Sequence, residues 1–123
     1  MKIYTSSYFK YRGNRGVQIS VSKPDLFKVY RKLPSLYPSW ECVKRWNEVK
    51  RLPKTDPERQ EVWSWYVEQY WNKLTRMGAE NILPYLCEGD VLLCWCKNRN
   101  ECHRGVLASW LAYYGVEVEE IDW

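Results

Sequence analysis

The chain has 123 residues, 46% apolar and 28% charged, a composition that excludes intrinsic disorder and collagen-like repeats and a length that suits a single domain spanning residues 1–123. No stretch approaches the roughly 18 consecutive apolar residues of a membrane span, and residues 1–8 lack the basic-then-apolar pattern of a signal peptide, so a cytoplasmic protein with no membrane partner is expected. The net charge of +4 hides a split: residues 1–60 carry 14 basic and 5 acidic side chains, a net of +9, whereas residues 61–123 carry 5 and 10, a net of −5. That asymmetry points to an anionic partner for one face.

In chain order, the β-prone run 2–8 reads as a strand, and 11–16, with two glycines and two arginines, as a loop. Residues 17–22 alternate apolar and polar, a second strand ended by Pro24; 25–39, with Pro34 and Pro38, show no period and read as mostly irregular. Ser39 caps a helix over 40–52 with apolar positions 42, 43, 46, 49 and 52 on one face, closed by Pro53. A capping Thr55, a proline and Glu58 start the longest helix, which runs to Met77 and Gly78. A short third helix over 79–87 is interrupted by Pro84. Residues 90–96 are nearly continuously apolar, as in a strand buried on both faces of a parallel sheet. A helix over 103–114 with Gly115 at its C-cap and an alternating strand over 116–122 complete a right-handed βαβ unit. The expected fold is therefore α/β: a single small, three-layer, Rossmann-like domain with a mostly parallel sheet.

Five cysteines, an odd number, argue against a secreted disulfide framework and for reduced thiols. Cys94, Cys96 and Cys102 fall within nine residues, where the buried strand runs into a loop and then into the helix that His103 and Arg104 open. Ligands of open α/β sheets bind beyond the carboxyl ends of strands, and a helix N-terminus attracts anions and favours a thiolate. Three readings compete. In the first, Arg104 and the helix N-terminus hold a phosphate or carboxylate while Cys102 or His103 does chemistry. In the second, Cys94, Cys96, Cys102 and His103 bind zinc, although the spacing C-x-C-x5-C-H lacks paired C-x2-C knuckles. In the third, the cysteines are small buried hydrophobes, His103 bonds a carbonyl and Arg104 pairs with an acid. Under all three, strand alternation puts Cys94 and Cys96 on one side and Trp95 on the other.

The segment from Leu92 to Arg104, ending in Cys102, His103 and Arg104 and followed by Gly105, Val106, Leu107, Ala108 and Leu111, resembles the C-terminal signature of the domain of unknown function 488 family, and the opening strand around Ile3 to Tyr8 resembles that family's first strand. The resemblance implies a Rossmann-like α/β sheet with a site at the Cys-His-Arg turn, and it supplies no reaction. Two positions depart from the family pattern: Cys96 stands where a glutamate is usual, and Ser20 and Ser22 stand where the second strand usually has an acid and an arginine. Glu101 and Cys96 are the candidate replacements for a missing general base.

Eight Trp and ten Tyr are a large aromatic complement. Trp63, Tyr66, Tyr70, Trp110 and Tyr114 recur at helical spacing and read as core. Tyr8, Tyr11, Tyr30, Tyr37 and Trp40 are interleaved with Lys and Arg in loop-like sequence, which suits either base stacking with phosphate contacts or a solvated basic surface. The loop after the first strand is expected to reach the sheet's carboxyl edge, so that Arg12 and Arg15 join Arg104 around one pocket, with Thr5, Ser6, Ser7 and Cys96 adding polar contacts. The functional expectation is an enzyme, or a ligand-binding relative of one, for a phosphate-bearing small molecule such as a nucleotide, with Cys102, His103 and Glu101 as catalytic candidates and no cofactor or bound metal. The alternative is a non-catalytic nucleic-acid-binding module using the basic N-terminal half.

Overall fold

Val91, Leu92, Leu93 and Cys94 are all buried, and this apolar run forms the central strand of the sheet. In the computed structural model, which describes residues 1–96 and 98–121, five strands pair in parallel among the described residues: β1 (Lys2–Ser7), β2 (Gly16–Gln18), β3 (Arg31–Lys32), β4 (Val91–Cys94) and β5 (Glu117–Glu120), in the order β3, β2, β4, β1, β5. β4 is flanked by β1, with Ser7 opposite Cys94, and by β2, with Val17 opposite Leu92. The expected α/β architecture is thus present, with a sheet parallel throughout.

Three helices, α1 (Trp40–Val49), α2 (Pro57–Met77) and α3 (His103–Tyr113), cover one face, where Ile3, Val17, Ile19 and Leu92 pack beneath Trp46, Tyr70, Leu107 and Trp110. The other face carries a layer of irregular chain: Tyr8, Tyr11, Phe27 and Val29 pack on Tyr4, Val91 and Leu93. Strand alternation sorts these two sets, because successive side chains leave opposite faces. No described helix is long and apolar enough to cross a membrane.

Local chemistry sets the helix ends. The Ser39 hydroxyl accepts from the Cys42 amide, and Gly78, at φ 86°, stops α2 in a conformation that L side chains rarely adopt. The α2 cap is Asp56, whose carboxylate accepts from the Glu58 amide at 2.9 Å, rather than the expected Thr55. Residues 79–87 do not form a helix; two 3-10 turns (Ala79–Asn81 and Leu83–Tyr85) stand there, since Pro84 cannot donate to a longer helical ladder. The segment read as irregular hides β3, a two-residue edge strand. Tyr114 is 40% exposed instead of core, whereas Tyr8 and Tyr11, read as surface, are buried.

β3 is held by its short ladder to β2 and also by charge. Arg31 Nη2 is ion-paired with Oδ2 of Asp90, a fully buried residue whose carboxylate also accepts from the Cys87 amide at 2.8 Å. Removing the carboxylate leaves the Cys87 amide without its acceptor and the half-buried Arg31 guanidinium with only the Tyr85 carbonyl as acceptor. Asp90→Ala is expected to cost about 3 kcal/mol in urea unfolding with an unchanged m-value; a loss below about 1 kcal/mol would show that the pair does not anchor this edge.

Candidate functional site

At the carboxyl edge of the sheet, β4 ends at Cys94, and its alternation carries Cys96 to the same side as Cys94, toward the helices. A 3-10 turn (Arg99–Glu101) then delivers Cys102 to the N-cap of α3 in extended conformation. Gly105 permits this close turn, because a Cβ there would collide with the Arg99 carbonyl. The three sulphurs of Cys94, Cys96 and Cys102 converge within 4.8 Å of one another. Cys94 and Cys102 are buried and their sulphurs touch, while Cys96 is half-buried.

Arg104 closes this cluster from above. Its guanidinium is fully buried, donates to Glu120 from Nε at 3.2 Å and from Nη2 at 2.8 Å, and sends Nη1 to Cys94 Sγ at 3.0 Å and to the Cys96 carbonyl. Thr5 donates to the same Glu120 carboxylate at 2.6 Å, and Ser6 donates to the Ile121 carbonyl at 2.8 Å. Arg104, Thr5 and Ser6, expected to hold a ligand anion, are therefore occupied by the protein itself. The third reading of Arg104, pairing with an acid, describes its geometry. Ser7 differs: fully buried and opposite Cys94, its hydroxyl has no hydrogen-bond partner.

The remaining sequence candidates divide. Glu101 lies 2.6 Å from Arg59 Nη2 and 4.0 Å from Lys54 Nζ, so it ties the turn to the start of α2 rather than facing a substrate. His103 is buried, and its Nε2 lies 2.8 Å from the Ile19 carbonyl; because that partner only accepts, Nε2 is assigned the proton and Nδ1, 3.8 Å from Cys102 Sγ, the lone pair. Burial lowers its pKa from 6.5 to about 4, against the opposing effect of the Ile19 hydrogen bond, so the ring is neutral at pH 7. Arg12 and Arg15 do not meet Arg104. Exposed Arg12 bonds the Tyr11 carbonyl on the loop-covered face, and Arg15 reaches the Glu88 carbonyl at the amino end of β4. The expectation failed because the chain between β1 and β2 descends across the sheet within eight residues, carrying Arg15 to the opposite edge.

What the carboxyl edge does hold is a cleft of about 450 Å³ between the strand ends, α1 and α2. Phe9, Tyr66 and Trp95 give it aromatic walls, Ser20, Ser22, Asn47 and Lys50 supply polar groups, and Cys96 and His103 lie at its base. Trp95 is fixed by its indole N–H, which donates to the Ser22 carbonyl at 2.9 Å. Lys50 has no acidic partner within ion-pair distance among the described residues. Burial pushes the Cys96 thiol up, with the Arg104 and Lys50 charges opposing it. Cys102 does not open here; it lines a separate groove of about 270 Å³ with Trp63 and Trp71. Sequence reasoning missed Asn47 and Lys50, although they share one stripe of α1 with Val43 at i, i+4 and i+7, because a stripe does not say which neighbour it will face.

A family model described as the active DUF488-N3 subclade matches residues 8–115, and the chain belongs to that family. No curated protein and no solved structure matches it.

His103 is the only histidine of the chain. Between pH 6.5 and about 4 the unfolded chain takes up a proton that the folded one refuses, so this group's contribution falls as pH drops through that window and is constant below it. The difference amounts to about 3 kcal/mol at most. His103→Gln is expected to flatten the pH dependence of the urea midpoint between pH 7 and 4 relative to the parent protein; equal slopes for the two would contradict the buried, neutral assignment.

Proposed function

We propose that this member of the active DUF488-N3 subclade binds a phosphate-bearing small molecule, such as a nucleotide, in the carboxyl-edge cleft and acts on it there. The observation that carries the reading is the pairing of Lys50, a cation without an acidic partner among the described residues, with three aromatic walls in one concave site. A lysine suits phosphate as a point charge, and Tyr66, Trp95 and Phe9 offer faces or edges for a base. Asn47, Ser20 and Ser22 add the few directed hydrogen bonds that orient a ligand in a largely apolar pocket. The position agrees with the rule that α/β sheets bind ligands beyond their strand ends. Lys50 takes the anchoring role that the sequence alone assigned to Arg104, Arg12 and Arg15.

Activity, rather than binding alone, is supported by the description of the family as active and by the Cys96 thiol at the cleft base. The nucleic-acid reading has less support, because Tyr8 and Tyr11, two of the five aromatic residues that would form a stacking platform, are inside the protein.

Calorimetric titration with a panel of nucleoside mono-, di- and triphosphates tests the reading. At least one is expected to bind with mild salt dependence and to shield Cys96 from alkylation, and Lys50→Ala is expected to weaken it roughly 10- to 100-fold, the value of one charge-assisted contact. A steep fall in affinity with salt for single-stranded nucleic acid, with no response to the mononucleotides, would favour the alternative and overturn this one.

A further inference from the structure

The converging sulphurs of Cys94, Cys96 and Cys102 make a site of their own, distinct from the cleft's polar lining. Cys94 closes a strand, Cys96 follows it on the same side, and Cys102 caps a helix, so two backbone segments of different direction aim three thiols at one point within 4.8 Å. A Cys94–Cys102 disulfide, which the contact between those two sulphurs suggests, leaves the third thiol unexplained and does not suit the backbone. The Cα atoms of Cys94 and Cys102 are 7.8 Å apart, beyond the distance a disulfide spans without backbone movement. Three thiols around a common centre is the arrangement a metal ion requires.

We propose that Cys94, Cys96 and Cys102 bind one zinc ion as thiolates, leaving its fourth position to water or to a ligand. Zinc takes sulphur at about 2.3 Å in a tetrahedron, which places neighbouring sulphurs about 3.8 Å apart; the three sulphurs lie within 4.8 Å of one another, and the touching pair, Cys94 and Cys102, would part to admit the ion. The surroundings complete the site. Arg104 Nη1 donates to Cys94 Sγ at 3.0 Å and the amino end of α3 faces Cys102, so positive charge meets the excess negative charge of three thiolates on one dication. Ser7, paired in register with Cys94 and fully buried, has the orphaned hydroxyl that a metal-bound water or a thiolate would satisfy. Because Cys96 also borders the cleft, the ion would lie next to the proposed ligand. Three protein ligands with one open position is the pattern of catalytic rather than structural zinc. The spacing escapes zinc-ribbon patterns because the ligands come from a strand end and a helix cap instead of two knuckles.

The test uses the full chain, purified under reducing conditions, stripped with a chelator and titrated with Co²⁺ and then Zn²⁺. One equivalent of cobalt should develop thiolate charge-transfer absorption and the intense visible bands of a tetrahedral ion; zinc should bleach them, stay bound through gel filtration and protect Cys96 from alkylation. Cys96→Ser should weaken zinc by more than the roughly 10- to 100-fold that loss of an outer-shell partner costs, whereas Cys87→Ser, an exposed cysteine outside the cluster, should bind as the parent does. If Cys96→Ser does not fold, the cobalt spectrum of the parent protein decides. Absence of thiolate bands, or an intact mass two hydrogens low with linked Cys94 and Cys102 peptides in the reduced preparation, overturns the proposal. Lys50→Ala should load cobalt normally, so failure of the nucleotide reading and failure of the metal site are separable.

Discussion

The ion pair between Arg104 and Glu120 is the constraint on which the carboxyl edge depends. A guanidinium and a carboxylate taken out of water lose solvation that only well-formed hydrogen bonds offset, and here nearly every group contributes: Thr5 from β1 shares the carboxylate, while Cys94 and Cys96 share the guanidinium. One side chain of α3 thereby joins β1, the end of β4 and β5. Because Arg104 sits in the first turn of α3, the pair also fixes where that helix begins. The positions of Cys102 and His103 follow from it.

From that anchor the cleft follows. Holding the Cys96 carbonyl against Arg104 keeps the chain after β4 on the helix side, which leaves Cys96 at the cleft base and sends Trp95 the other way, to Ser22. The described helices cover one face of the sheet, and α1 presents Asn47 and Lys50 along the strand ends. The opposite face is closed by Tyr8, Tyr11 and Phe27, aromatic bulk standing where a second helix layer would otherwise be needed to exclude water.

The charge split along the chain is in part a record of pairing. Lys2 meets Glu117 and Glu119, Arg31 meets Asp90, and Arg59 and Lys54 meet Glu101, so the basic half is repeatedly matched to the acidic half across the fold. Read linearly the split points to an anionic partner; folded, four of the fourteen basic residues of 1–60 meet acids of the second half, and the other ten make no ion pair among the described residues. Lys50 stands out because, without an ion pair among the described residues, it lines the aromatic-walled cleft at the carboxyl edge, a property of arrangement rather than of composition.

How much was legible follows from the range of each signal. Amino-acid order by itself determined the α/β class, the buried β4 run, the two long helices with their serine and glycine ends, and the crowding of Cys94 to Arg104 at one strand-to-helix junction, because these depend on periodicity, capping and neighbours in the chain. Strand alternation even placed Cys94 and Cys96 on one side. Only the tertiary structure decided that Arg104 spends its hydrogen bonds on Glu120, that Arg15 lies at the far edge, that Glu101 belongs to Arg59, and that Lys50 rather than any of the expected arginines faces the cleft. Those outcomes rest on strand order and on contacts between residues 16 to 73 positions apart, and a side chain's partner at such a separation is set by packing, about which local sequence carries no information.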